Sequence, residues 1–137
     1  MAHLQRILLG LVGLLIIMTG IDNAFGGVAT LGWQLSPGSF AVTHAADFAV
    51  RDSHVHFIGG VWLGCGMILL AAALSLKVPR ATIAAVFGLI VVGGLARFTQ
   101  GDLPLLLSAN ILPSLLAELL LFPLLALWVW HTRALPR

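Results

Sequence analysis

The stretch SHVHFIGGVWLGCGMILLAAALSLKVPR, residues 53 to 80, decides the fold. Up to Leu76 it is a nearly unbroken apolar run, and a run of about 20 apolar residues is long enough to cross a hydrocarbon core as a helix. Only the four residues KVPR then separate this run from the next one, and Pro79 stops one helix and starts the other. Because so short a connection cannot recross the bilayer, we predict an antiparallel helical hairpin.

The rest of the chain has the same character. Of its 137 residues, 60% are hydrophobic and 9% are charged, whereas a soluble domain carries about 25% charged residues. The apolar runs are long, rich in Leu and Ala, and without alternation, which excludes strands. We therefore predict an all-α protein, an antiparallel four-helix transmembrane bundle that forms a single integral membrane domain. The spans are expected at about 4–24, 53–76, 81–100 and 109–130.

Positive charges predict the orientation of the spans. In a four-span chain, five of the seven cations lie on one side of the membrane: Arg6, Lys77, Arg80, Arg133 and Arg137. The positive-inside rule assigns that side to the cytoplasm. We therefore predict cytoplasmic N and C termini, and an extracytoplasmic loop at about 26–50.

Several classes of function lack support in the sequence. The single cysteine, Cys65, has no second thiol for an internal disulfide or a cysteine-based metal site. His54 and His56 lie about 200° apart on a helix, which argues against joint ligation of one ion. The chain has no nucleophile elbow, no HExxH motif and no phosphate loop. We predict no catalytic residue, no metal site and no nucleic-acid partner.

Polar residues instead line one face of each span, in the same half of the membrane. Asp52 and His56 are one helical turn apart. Glu118 lies eight residues beyond Asn110, about 12 Å along the helix, and so close to the middle of a core about 30 Å thick. A carboxylate there should face protein and have a partner, with Arg97 the first candidate and His56 the second. The residues predicted to form a buried polar network or a ligand site are Asp22, Asn23, Asp52, His56, Arg97, Gln100, Asn110, Ser114 and Glu118.

Glycines and one proline predict how the helices pack. Small residues allow membrane helices to approach closely, and we assign this role within the bundle to Gly60, Gly64, Gly93 and Gly94, rather than to a homodimer. Pro123 lacks a backbone donor, so it frees the carbonyl of Leu119 and predicts a kink beside Glu118.

Three segments carry a family resemblance: RDSHVHFIGGVWLGCGMILL (51–70), GGLARFTQG (93–101) and LLAELLLFPLLALW (115–128). Together they resemble a bacterial family of small four-span membrane proteins known as domain of unknown function 4345. The resemblance covers about 51–130, and its marks here are Gly59, Gly60, Arg97 and Glu118. It implies the four-span fold in the bacterial inner membrane and names no activity. DoxX-like proteins are loosely similar in architecture.

Three hypotheses of function remain open. The leading one is a non-catalytic accessory or structural subunit of a larger inner-membrane complex, for example a bioenergetic one, with membrane lipids and other integral membrane subunits as partners. The alternative is a binder of a quinone, carotenoid or lipid in an outer-leaflet polar pocket at Arg97, Glu118 and His56; no other cofactor is predicted. The third is a membrane-embedded isomerase-type enzyme that uses Glu118 and His56 as acid and base.

Overall fold

A computed structural model of the protein describes residues 2–30, 42–74 and 76–131. Within these ranges the fold is all-helical, as predicted, and contains no strand. Four helices are long and apolar enough to cross a membrane: His3–Thr30, Ala45–Ala73, Arg80–Gln100 and Leu112–His131. The prediction of cytoplasmic termini stays a prediction.

The regular elements follow one another with few connecting residues. In chain order they are α1 (Ala2–Thr30), α2 (Ala45–Ala73), α3 (Arg80–Ala96), a 3₁₀ turn (Arg97–Gln100), α4 (Leu103–Leu106), α5 (Leu112–Leu116), a π-helical turn (Ala117–Leu121) and α6 (Phe122–His131).

Two helices extend further than the sequence analysis predicted. Helix α1 continues to Thr30, and α2 begins at Ala45 rather than near Ser53. Both ends of the segment predicted as a loop at about 26–50 are therefore helical, and residues 31–41 between them lie outside the described residues. Polar residues such as Asp47 and Arg51 lower the hydrophobicity at the start of α2, so the sequence did not indicate a span there, but they do not end the helix.

The chain divides into two compact units, which we describe separately. Unit one, within His3–Leu76, contains α1 and α2. The two helices run antiparallel, because Gly13 lies beside Leu70 and Gly20 lies beside Leu63. A Cβ atom on Gly20 would stand only 2.5 Å from the Leu63 nitrogen, so the two backbones are in direct contact at this point.

A seven-residue spacing of glycines produces this close approach. Helix α1 presents Gly13, Gly20 and Gly27 to α2, and α2 presents Gly59 and Gly66 in return. A repeat of seven residues stays on the inner side of a left-handed helix pair. The sevenfold spacing of these glycines therefore determines where α1 and α2 pack together.

The glycines that we predicted to pack are mostly different ones. A Cβ atom on Gly60, Gly64 or Gly93 would meet nothing within 4 Å in the described part of the chain. The reason is rotation about the helix axis, since Gly60 is turned by about 100° from Gly59, which faces α1. Of the predicted set, Gly94 alone has close neighbours.

Unit two, within Lys77–Arg137, contains α3 and all later elements. Helix α3 has one buried apolar stripe with helical spacing, formed by Ile83, Val86, Phe87, Ile90 and Gly94. The rings of Phe87 and Phe122 lie 5.7 Å apart at 35°. Phe87 contacts Phe122, and Gly94 lies beside Glu118. These two contacts show that α3 runs antiparallel to α6 and the turn before it.

Candidate functional site

Helix α1 is interrupted at Gly27. Its backbone angles, φ 59° and ψ −147°, lie in a region that essentially only glycine occupies. In a continuous helix the Val28 N–H would donate to the Ala24 carbonyl, but the break turns the two groups apart. After the break the chain folds back, and the Thr30 hydroxyl donates to the Asp22 carbonyl at 3.1 Å.

Helix α2 provides partners for both of these backbone groups. The Val28 N–H donates to Asp52 Oδ1 at 2.7 Å, and Nδ1 of His56 lies 2.7 Å from the Ala24 carbonyl oxygen. Nε2 of the same ring lies 3.3 Å from Asp52 Oδ2. We call Asp52 and His56, one turn apart on α2, the clip. The clip replaces one missing backbone hydrogen bond of α1 with two hydrogen bonds to side chains.

Each ring nitrogen of His56 has an acceptor close to it in the clip. A backbone carbonyl only accepts hydrogen bonds, so Nδ1 must carry a proton to bond with Ala24. Nε2 faces a carboxylate oxygen, which also accepts. Only an imidazolium donates from both nitrogens. The clip is therefore most complete as an ion pair between His56 and Asp52.

The second cluster joins Arg97 to Glu118 in unit two. Arg97 Nε donates to Glu118 Oε2, and Arg97 Nη2 donates to Glu118 Oε1, both at 2.7 Å. This is the bidentate arrangement in which a guanidinium binds a carboxylate most strongly. The Glu118 side chain is 12% exposed and that of Arg97 is 37% exposed. Glu118 thus has the partner that the sequence analysis placed first.

A π-helical turn, rather than a simple kink, carries Glu118. The Phe122 N–H donates to the Ala117 carbonyl, five residues back. Pro123 follows immediately, and its ring would crowd the Leu119 carbonyl in a regular helix. A wider turn before the proline relieves this crowding. The effect of Pro123 is therefore to reshape the turn that aims the carboxylate at Arg97.

Gly94 makes room for the ion pair. A Cβ atom there would lie 2.8 Å from Glu118 Cβ and 3.2 Å from Glu118 Oε2, both closer than ordinary van der Waals contact. Gly94 precedes Arg97 by one turn on the same helix, so it lets α3 approach the π turn at the level of the pair.

Gly94→Ala is therefore expected to displace Glu118 and destabilise the protein by about 1–3 kcal/mol, the usual cost of overpacking. The matched control is Gly93→Ala on the same turn, where an added Cβ meets no described atom within 4 Å. Stability would be measured as the unfolding midpoint in mixed detergent micelles by circular dichroism. Equal midpoints for the two variants would contradict this account.

The other predicted site residues play smaller parts. Asp22 has one buried carboxylate oxygen, Oδ2, without a hydrogen-bond partner in the described structure. The backbone of Asn23 lies against Gly59. The Ser114 hydroxyl donates to the Ile111 carbonyl. Gln100 is exposed at the end of the 3₁₀ turn.

The predicted polar stripe of the fourth span is wrong at Asn110. This residue is exposed in a turn before α5 begins at Leu112, so it does not share a helix face with Ser114 and Glu118. Pro113 in the first turn of α5 marks where the helix starts, as proline commonly does. The predicted residues before position 77 belong to unit one and those after it to unit two.

Sequence reasoning missed three contributors in unit one. Gly27 and the amide of Val28 were not singled out, although the sevenfold spacing of Gly13, Gly20 and Gly27 was a usable signal. The indole N–H of Trp62 also donates to the Thr19 hydroxyl at 2.8 Å. Across the described ranges, no three His, Cys, Asp or Glu side chains are grouped so as to hold a metal ion.

The four long apolar helices define a multi-pass helical membrane protein. Its charged side chains Asp52 and Arg97 are bonded to partners at a break or turn of these helices. The chain belongs to the family described as domain of unknown function DUF4345, whose sequence profile matches residues 4–129. This confirms the predicted family and extends it over α1. No curated protein and no solved structure matches the chain significantly.

Proposed function

We propose that the protein is a non-catalytic accessory or structural subunit of a larger assembly in the bacterial inner membrane, with both termini in the cytoplasm. The observation that carries this proposal is that Glu118 and His56, the two groups considered for acid–base chemistry, already have hydrogen-bond or ion-pair partners within the protein. Both Glu118 oxygens accept hydrogen bonds from Arg97. Both His56 ring nitrogens face acceptors within unit one. Proton transfer by either group would first require its clip or pair to break.

An uncovered face of α2 is evidence for packing against a helix of another subunit. Gly60 and Gly64 are spaced as in the small-xxx-small pattern that lets membrane helices pack closely. Beyond its own stretch of helix, a Cβ built on either residue would meet no described atom within 4 Å. Phe57 and Val61, on the same stretch of helix, are 71% and 50% exposed. A helix from another subunit would bury this surface.

Purification from native membranes tests the proposal. The protein, solubilised in mild detergent, is expected to copurify with an integral membrane partner at fixed stoichiometry, measured by light scattering and mass spectrometry. Gly60→Leu should reduce the recovered partner by about tenfold, the effect of losing roughly 1.4 kcal/mol of contact.

Gly88→Leu is the matched control, because position 88 on α3 is also open in the described structure. It should retain the partner, and both variants should keep their helical circular dichroism. A lone monomer, or equal recovery with both variants, would count against the proposal.

The ligand-pocket hypothesis at Arg97, Glu118 and His56 stays a prediction. A quinone, carotenoid or lipid at that site would have to share donors and acceptors that already bind one another within each unit. Organic extraction of the purified protein, followed by mass spectrometry, would reveal a stoichiometric compound of this class.

A further inference from the structure

A cavity of about 260 Å³ opens at the N-terminal end of α2. One wall is a single face of that end, with spacings of three, four and seven residues: His44, Asp47, Phe48 and Arg51. The cavity is also lined by Val28, Val42 and Thr43. Because Val28 follows the break at Gly27 and its amide is bound to Asp52, the break and the clip position Val28 beside the cavity.

The length of α2 places the cavity at the depth of lipid head groups. Its 29 residues span about 43 Å at 1.5 Å per residue, more than a hydrocarbon core of about 30 Å. The apolar span of α2 is expected from about residue 53. The first two turns, with their charged residues, therefore extend beyond the core into the interface.

The wall of the cavity carries one negative and one positive charge, and no salt bridge joins the two side chains. Asp47 and Arg51 are both exposed and one helical turn apart. The salt bridges of the described residues do not include either of them. Arg51 lies about 6 Å nearer the apolar part of the helix than Asp47. The cavity thus presents a cation at the deeper level and an anion at the shallower level.

We propose that this cavity binds the head group of a phosphatidylethanolamine-type lipid, a phosphate diester that carries a primary ammonium group. Arg51 donates to the phosphate, as guanidinium groups commonly do, and Asp47 accepts from the ammonium. The depths agree, because the phosphate of such a lipid is nearer the acyl chains than the ammonium. Phe48, Val28 and Val42 contact the methylene groups. This site is separate from the residues that carry the proposed function.

Related head groups fit the cavity less well. A glycerol head group has no positive charge for Asp47. A choline head group carries a positive charge without an N–H, so it cannot donate a hydrogen bond to the carboxylate. A free phosphoethanolamine has the same polar groups but lacks the acyl chains that hold a lipid at this depth.

The test is retention of defined lipids by the full chain. Detergent-solubilised protein is equilibrated with phosphatidylcholine vesicles that contain either phosphatidylethanolamine or phosphatidylglycerol with the same acyl chains. Bound lipids are then counted by native mass spectrometry. The protein should retain phosphatidylethanolamine over the other two by about tenfold, the effect of one hydrogen bond between charged groups.

Three variants separate the parts of the proposal. Arg51→Gln should reduce retention of phosphatidylethanolamine by about tenfold, and Asp47→Asn should remove the preference over phosphatidylcholine. Lys77→Gln, an exposed cation that does not line the cavity, is the matched control and should behave as the parent. Equal retention of all three lipids, or no effect of Arg51→Gln, would overturn the proposal. So would displacement by soluble phosphoethanolamine at the concentration at which the lipid itself binds.

Discussion

Glu118→Gln is expected to destabilise the protein by about 3 kcal/mol, because breaking one side of a buried ion pair leaves the other charge uncompensated. The amide preserves the size of the side chain, but it turns one of two acceptors that Arg97 uses into a donor. We place the effect at the lower end of the usual range because 37% of the Arg97 side chain is exposed. The measurement is the unfolding midpoint in mixed micelles by circular dichroism.

A double variant provides the control for this prediction. Arg97→Leu combined with Glu118→Leu removes both charges, and well-packed apolar replacements of an ion pair are often neutral in stability. The double variant should therefore recover most of the loss caused by Glu118→Gln. A double variant no more stable than Glu118→Gln would show that the pair is not the source of the effect.

The same variant separates the network hypothesis from the enzyme hypothesis. If Glu118 acts mainly through its bonds to Arg97, then Glu118→Gln lowers stability and assembly. If it acts mainly as an acid or base, the protein remains as stable as the parent and loses turnover instead. The bidentate geometry makes the first result the expected one.

Gly27→Ala is expected to have an effect of similar size, roughly 3 kcal/mol. A non-glycine residue in this region of backbone space costs about 1–3 kcal/mol, and overlap of the new Cβ adds to that. The Cβ atom would collide with Asp52 Oδ1 and lie 2.8 Å from His56 Nε2. The clip would open, so the Val28 amide and the Ala24 carbonyl would lose their partners.

Hydrogen exchange measures this effect where it arises. In the parent, the amide of Val28 should be protected by its bond to Asp52, and in Gly27→Ala that protection should disappear. Gly60→Ala is the matched control, because its Cβ has open space in the described structure. It should leave Val28 protected and raise stability by about 0.5–1 kcal/mol, since glycine is unfavourable within a helix. Unchanged protection in Gly27→Ala would show that the break does not depend on glycine.

The clip gives Asp52 and His56 a structural role that does not require catalysis. A break in a helix frees backbone groups that then need other hydrogen-bond partners. Side chains from α2 satisfy two of them, and these bonds reach across 24 and 32 residues of sequence. An ionisable residue in a span is a functional candidate by default, but here Asp52 and His56 are already engaged in holding two helices together.

The sequence by itself determined the all-helical class, the four apolar helices and the family. Each of these depends on properties of continuous segments, chiefly the length of an apolar run. Such properties do not depend on which other helices a segment packs against. The pairing of Glu118 with Arg97 was also predictable, because the cost of an isolated charge in a membrane demands a partner, and the chain offers few cations within its spans.

Only the tertiary structure decided which side of each helix meets another one. The break at Gly27, the clip formed by Asp52 and His56, and the packing through Gly59 instead of Gly60 all depend on rotations about helix axes. A difference of one residue turns a side chain by about 100°, so the same sequence pattern fits several packings until a distant helix selects one. The physical reason is that the backbone groups freed at a break form hydrogen bonds with side chains from a distant part of the sequence, and only the tertiary structure determines which side chains lie close enough.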